Sequence, residues 1–170
     1  FSTYMVADDM DVTSILSSIY DYVVIAKDYQ GFLDALKDYD CPGQNFVYAD
    51  IYGNIGMYHR GKTPIRFGKG VLPGNDSKFL WEYADDSKFI PDSHLPKSLN
   101  PERGYVSSAN QYPVNKDYPY YLAGKYWPAY RGSRINDQLQ TFIDADRGVT
   151  ISDMISIQND SYNKFANIVL

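Results

Sequence analysis

The residues that could do chemistry are few and widely spaced. The chain carries one cysteine, Cys41, and two histidines, His59 and His94. A single thiol excludes an internal disulfide and any multi-thiolate zinc site. Neither histidine has a partner at Asp-x-His or His-x3-His spacing, so a zinc centre or a Ser-His-Asp triad has no support. Tyrosine is abundant instead, 17 residues against 8 phenylalanines. Tyrosine buries area while keeping a polar tip. The run Tyr118, Tyr120, Tyr121, Tyr126, Trp127 and Tyr130 is therefore a candidate stacking surface for a carbohydrate or peptide, and a compositional habit explains the same abundance without any ligand.

The global numbers narrow the partners. With 16 Lys and Arg against 21 Asp and Glu, the formal net charge is −5 and no basic run stands out. A nucleic-acid backbone needs clustered positive charge, so that partner is not expected. No stretch approaches the roughly 18 uninterrupted apolar residues of a membrane span, and residues 1–11 lack the basic-then-apolar pattern of a signal peptide. The expectation is a soluble chain of open compartment, cytoplasmic or exported. It starts without methionine and ends on Ile168-Val169-Leu170 after a polar, helix-like segment, which reads as a piece of a processed subunit.

These residues must be positioned by a small set of elements. Ile15, Leu16, Ile19, Tyr20, Val23 and Val24 form a helical stripe over Val12 to Ala26. A second helix is expected from Tyr29 to Tyr39, with Asp28 as its cap and Phe32, Leu33 and Leu36 on one face. Gln44 to Ala49 is strand-like, Asp50-Ile51-Tyr52-Gly53 is turn chemistry, and Asn54 to His59 returns as the hairpin partner. Gly61 to Arg103 reads as a long excursion, Tyr105 to Ser108 as a short strand, and Gln111 to Tyr130 as loop. A helix is expected over Ser133 to Ala145, and Thr150 with Asp153 opens a last one through Ile157. The fold class is α+β: an antiparallel hairpin with flanking helices and long loops.

Several blocks, in order, resemble the penicillin acylase (penicillin amidase) family. They are Gln44-Asn45-Phe46-Val47-Tyr48-Ala49-Asp50, Gly53-Asn54-Ile55-Gly56, then Gly61, Pro64 and Arg66. Leu95-Pro96, Asn100-Pro101 and Gly104-Tyr105-Val106 follow, then Ser108-Ala109-Asn110-Gln111. Arg131 with Arg134-Ile135, and Met154 with Ile157-Gln158-Asn159-Asp160, complete the series. The resemblance implies an N-terminal-nucleophile hydrolase of αββα architecture that cleaves N-acyl amides through an acyl-enzyme. In that family a self-cleaved precursor exposes a serine whose own α-amine is the general base. Residues 1–170 are then one segment of the β-subunit, an incomplete domain. Phe1 has no nucleophilic atom and Ser2 lacks a free amine, so the serine is expected upstream and the chain alone is expected to be inactive.

The resemblance also carries site residues. Asn110 falls at the family's active-site asparagine, whose side-chain NH2 would stabilise the tetrahedral oxyanion; the local sequence alone reads it as a turn residue before Tyr112-Pro113. Arg131 falls at the active-site arginine, which cannot be a base and would hold the terminal amine and Asn110. Arg134, three positions on, is the alternative register, and Arg131 is preferred. Gln44 and Asn45 begin the strand beside the acyl pocket and are candidate substrate contacts, or they satisfy strand-edge groups. Asp50 and Asn54 are read as turn residues.

No cofactor and no metal are expected. The family's calcium-binding loop aspartate falls near Tyr121 and its other ligand within Phe67 to Gly70, neither of which matches; Asp117 alone supplies too few oxygens. The implied partners are the rest of the same precursor, namely the α-subunit and the N-terminal part of the β-subunit, and a small-molecule N-acyl amide. A homodimer of the fragment through unpaired edges is a further expectation. The rival reading is a stand-alone Tyr-rich binding module.

Overall fold

The computed structural model describes residues 23, 25–40, 42–65, 75, 89–122, 126 and 128–169. Apart from residues 23, 25 and 26, the helix expected over 12–26 lies outside them, as do Cys41, Arg66, Trp127 and the 67–70 segment. The chain divides into two units, residues 1–100 with 114–124, and residues 101–113 with 125–170.

In the first unit α1 (Tyr29–Ala35) has as its N-cap Asp28, which accepts the Gly31 N–H on Oδ1 at 2.8 Å. That bond satisfies one of the donors a helix start leaves free. The helix ends four residues before Tyr39, with Leu36 as its C-cap, and the buried Arg60 takes the carbonyls of Leu36 and Lys37 just beyond it. Arg60 Nε donates to Leu36 O at 2.8 Å, and Nη2 donates to Lys37 O. Arg60 Nη1 lies 2.5 Å from Asp92 Oδ1, so the guanidinium is charge-paired as well.

β1 (Gln44–Ala49) and β2 (Ile55–Arg60) form the expected hairpin, with Phe46 opposite Tyr58 and Tyr48 opposite Gly56. Asp50 organises its turn. Oδ1 accepts the Tyr52 and Asn54 N–H groups, and Oδ2 accepts Asn54 Nδ2–H and the Tyr48 hydroxyl. These donors, the Asn54 side chain first, hold the Asp50 carboxyl below its ordinary range. Burial, followed by the bond to Asp50, pushes the Tyr48 phenol up to about 12.

A third strand, β3 (Lys97–Leu99), pairs antiparallel with β2, giving the order β1-β2-β3. It was hidden in the long Gly61 to Arg103 stretch, since three residues between Pro96 and Asn100-Pro101 carry no readable alternation. Asn100 closes this strand in the left-handed region, at φ 47°. Its N–H and Oδ1 exchange bonds with Ile55 O and N, and its Nδ2 donates to Asn54 Oδ1.

One sheet face packs on α1. Phe32 and Tyr29 meet Tyr48 at ring-centroid distances of 5.2 and 5.3 Å, and Tyr39 meets Phe46 edge-on at 5.0 Å. Gly56 makes this approach possible: a Cβ there would sit 2.7 Å from the Tyr29 ring. Leu36 and Leu122, the largest fully buried side chains, belong to this unit.

The second unit is built on α2 (Tyr130–Asp144), α3 (Ile151–Gln158) and the short α4 (Ala166–Val169). α2 starts three residues before the expected Ser133. α3 opens with a full capping box: Thr150 and Asp153 each bind the other's backbone N–H. α2 ends in a Schellman pattern, with Arg147 N bonded to Phe142 O and Asp146 N to Ile143 O, and Asp146 at φ 47°. Residues 105–108 are not a strand. Among the described residues no strand partner meets them, and Ser107 Oγ instead donates to Asn136 Oδ1 at 2.7 Å, tying this segment to α2.

Candidate active site

In the second unit the loop carrying Asn110 meets the first turn of α2. Ser107 anchors the approach, Ala109 is buried, and Asn110 takes φ 62°, a left-handed conformation that asparagine tolerates better than most side chains. Arg131 is the second residue of α2. Its Nη2 donates to Ala109 O at 3.0 Å and to Asn110 Oδ1 at 2.9 Å.

The chemistry of this pair follows from its donor inventory. A guanidinium only donates, so the amide atom facing it must be the carbonyl oxygen. The Asn110 NH2 is thereby directed away from Arg131, and it has no partner among the described residues. Asn110 is exposed, as is Arg131. The result is a pinned amide that presents two N–H donors outward. Such a group suits a developing negative charge on oxygen.

The helix start is locally unfavourable. Its N-cap is Ala129, which makes no side-chain capping bond, and alanine there costs on the order of 1 kcal/mol relative to a good cap. Arg131 places a cation at the positive end of the helix dipole, against a preference of about 0.3–1 kcal/mol. The bonds to residues 109 and 110 are what the arginine gains.

Arg134, the other candidate arginine, is committed elsewhere. Its Nε donates to Asp160 Oδ2 at 2.6 Å and its guanidinium lies 4.5 Å from the Tyr162 ring. The bond from Arg134, more than any other contact, holds the Asp160 carboxyl below its ordinary range. Gln138 also donates to Asp160, so this cluster ties α2 to the segment after α3.

Gln44 and Asn45 lie in the first unit, at the start of β1. Gln44 is exposed and opposite Arg60, while Asn45 is opposite His59. Successive strand residues point to opposite faces, so the two cannot line the same side of the sheet. Asn45 Oδ1 lies 2.8 Å from His59 Nδ1, and a carbonyl acceptor there places the imidazole proton on Nδ1. Burial lowers the His59 pKa. Several tyrosines of the candidate stacking surface pack on other aromatic rings of the chain. Tyr118 and Tyr120 meet edge-on at 5.7 Å and both bond to His94, and Tyr112 meets Tyr126 at 4.9 Å.

One residue with no role assigned from the sequence joins the site. Gln111 Oε1 accepts the Ala109 N–H at 2.7 Å, and its side-chain amide lies against Gly132. The only signal was adjacency, in the Ser108-Ala109-Asn110-Gln111 block. Among the described residues no group of three or more His, Cys, Asp or Glu could hold a metal ion, and no helix is long and apolar enough to cross a membrane.

Comparison with known proteins gives consistent matches. Residues 6–170 match the family model described as penicillin amidase. The chain is 27% identical over 139 residues to penicillin acylase 2 proenzyme of Pseudomonas sp. strain SE83, covering 80% of this chain and 17% of that protein. It is 37% identical over 79 residues to penicillin G acylase of Escherichia coli, 44% of this chain and 8% of that one. It is 29% identical over 144 residues to the acyl-homoserine lactone acylase QuiP of Pseudomonas aeruginosa, 82% of this chain and 16% of that one. The thermostable penicillin G acylase from Alcaligenes faecalis shares the fold over 75% of this chain and 23% of its own, with a TM-score of 0.51 and 23% identity. The chain thus spans under a fifth of the length of these curated relatives.

Proposed function

Because the chain belongs to the penicillin amidase family, we propose that it is the segment of an N-acyl amide hydrolase that supplies the oxyanion-hole asparagine, Asn110, and the arginine that holds it, Arg131. The serine nucleophile comes from elsewhere in the longer protein, so this chain by itself turns over no amide. The serine Oγ attacks the amide carbonyl carbon, its proton passing to the serine's own α-amine. Negative charge then collects on the carbonyl oxygen, where the outward Nδ2–H of Asn110 receives it. Collapse expels the amine, which takes up that proton, and leaves an acyl-enzyme for water to hydrolyse.

The observation that carries this reading is the Arg131–Asn110 hydrogen bond, which fixes the amide with its donors outward before substrate arrives. Preorganisation of this kind is where oxyanion stabilisation gains over water. Gln44 and Asn45, at the start of β1, are proposed as substrate contacts, and because they face opposite sides of the strand only one of them meets the acyl group directly. The proposed partners are the remainder of the precursor and an N-acyl amide such as the penicillins or acyl-homoserine lactones named for the relatives.

The test uses the full-length processed protein and a panel of phenylacetyl, hexanoyl and dodecanoyl p-nitroanilides. Asn110→Gly removes the amide while keeping the left-handed backbone accessible. It should lower kcat by about 10²–10³. Wild-type turnover in a folded Asn110→Gly enzyme would refute the assignment.

A further inference from the structure

We propose that Gln111 and Gly132 form a seat that fixes the backbone around Asn110, making Gln111 a positioning residue for the oxyanion donor. This inference rests on the reading of Asn110 given above. Gln111 touches no reacting atom in it; it acts through Ala109.

The geometry is a clasp on one residue. Gln111 Oε1 accepts the Ala109 N–H at 2.7 Å, closing a ring that spans Asn110. On its other side Ala109 O receives Arg131 Nη2 at 3.0 Å. The Ala109 carbonyl belongs to the peptide plane that leads into Asn110 and the Ala109 N–H to the plane before it, so holding both polar groups of buried Ala109 restrains the backbone on either side of that residue. With that backbone restrained, Asn110 keeps φ 62° and its Oδ1 stays within 2.9 Å of the same Arg131 nitrogen. The Gln111 amide is unambiguous in orientation, since an N–H can only be met by the oxygen.

Gly132 explains why that amide stays in place. It lies next to Arg131 in the first turn of α2, and a Cβ there would sit 3.1 Å from both Cδ and Oε1 of Gln111 and 3.4 Å from Nε2. Any side chain at 132 therefore pushes the Gln111 amide by a few tenths of an ångström. Glycine is otherwise a poor choice within a helix. One element thus contributes two supports: Arg131 for the Ala109 carbonyl and Asn110 Oδ1, and the bare Gly132 backbone for the side chain that holds the Ala109 N–H.

This arrangement predicts that stability and turnover move in opposite directions. Alanine at 132 favours the helix but displaces Gln111. In the full-length processed enzyme, Gly132→Ala should lower kcat about tenfold toward N-acyl p-nitroanilides, with KM within about twofold of wild type and an unchanged or higher urea midpoint. Gln111→Met, which keeps bulk but has no amide acceptor, should lower kcat by a similar factor. The double variant should lose little more than either single, because the two residues act as one unit.

Three outcomes overturn the proposal. One is turnover within about twofold of wild type in both single variants while Asn110→Gly abolishes it, which leaves the Asn110 assignment standing. Another is a rise in KM with kcat unchanged, which would make Gln111 a substrate contact. The third is a double variant whose losses multiply. Should Gln111→Met fail to fold, Gly132→Ala alone decides. Wild-type turnover in Asn110→Gly would instead remove the site reading itself, and this inference with it.

Discussion

Arg131 Nη2 donates to two acceptors on adjacent residues, Ala109 O at 3.0 Å and Asn110 Oδ1 at 2.9 Å. One nitrogen on the first turn of α2 thereby fixes both a peptide plane and the side chain that follows it. The two restraints are coupled, because the peptide plane sets where Asn110 Cβ projects and the amide bond sets its rotamer.

That coupling is measurable. Arg131→Lys keeps the charge but loses the rigid planar guanidinium, so an ammonium on a flexible stem no longer holds the carbonyl and the amide oxygen in one geometry. In the full-length enzyme, kcat should fall about tenfold to a hundredfold, and Arg131→Ala should cost more. In a double-mutant cycle Arg131→Ala should add little once Asn110→Gly is in place, since the group it orients is gone. Fully multiplicative losses would mean the arginine works on something other than Asn110.

Stability should depend on pH through His59. Burial lowers its pKa from 6.5, so below that value the unfolded chain takes up a proton that the folded chain refuses. The sign follows from linkage: stability is undiminished above the unfolded value and is lost as pH falls through the lower folded one. Urea midpoints between about pH 5 and 8 should therefore decline on the acid side. His59→Gln should flatten that part of the profile. An identical acid decline in the variant would assign it to other groups.

A stabilising substitution is also available. Asp146 follows the last turn of α2 at φ 47°, and no hydrogen bond or ion pair is made by its side chain among the described residues. A carboxylate near a helix C-terminus opposes the dipole by about 0.3–1 kcal/mol, and a left-handed conformation costs most side chains about 1–2 kcal/mol. Glycine removes both terms while adding roughly 0.5–1 kcal/mol of backbone entropy cost. Asp146→Gly should raise stability by about 0.5–1 kcal/mol, read as a shifted urea midpoint with an unchanged slope. A lower midpoint would show that the carboxylate does more than the geometry records.

Much of the fold was legible in residue order. The β1–β2 hairpin, the Asp28 cap and the Thr150–Asp153 capping box each rest on contacts between residues close in sequence, where residue type nearly dictates geometry. The family was legible for a different reason: its blocks recur in one order over most of the chain. β3 and the irregular 105–108 segment were misread because pairing partners decide strands. Lys97–Leu99 is a strand only because β2 lies beside it, and Tyr105 to Ser108 has strand-like residues with α2 rather than a strand as its neighbour.

At the candidate site the sequence by itself determined which residue types were present and their order: an amide at 110, arginines at 131 and 134, a glycine at 132. From motif order it preferred Arg131, with Arg134 as the alternative register, but it did not give the direction in which either side chain points. Tertiary structure sets that direction, sending Arg134 to Asp160 and Arg131 to Asn110. It also set α2 to begin at Tyr130, against the weak Ala129 cap and the dipole, since local rules yield wherever a contact from a distant loop is worth more than a well-made helix end.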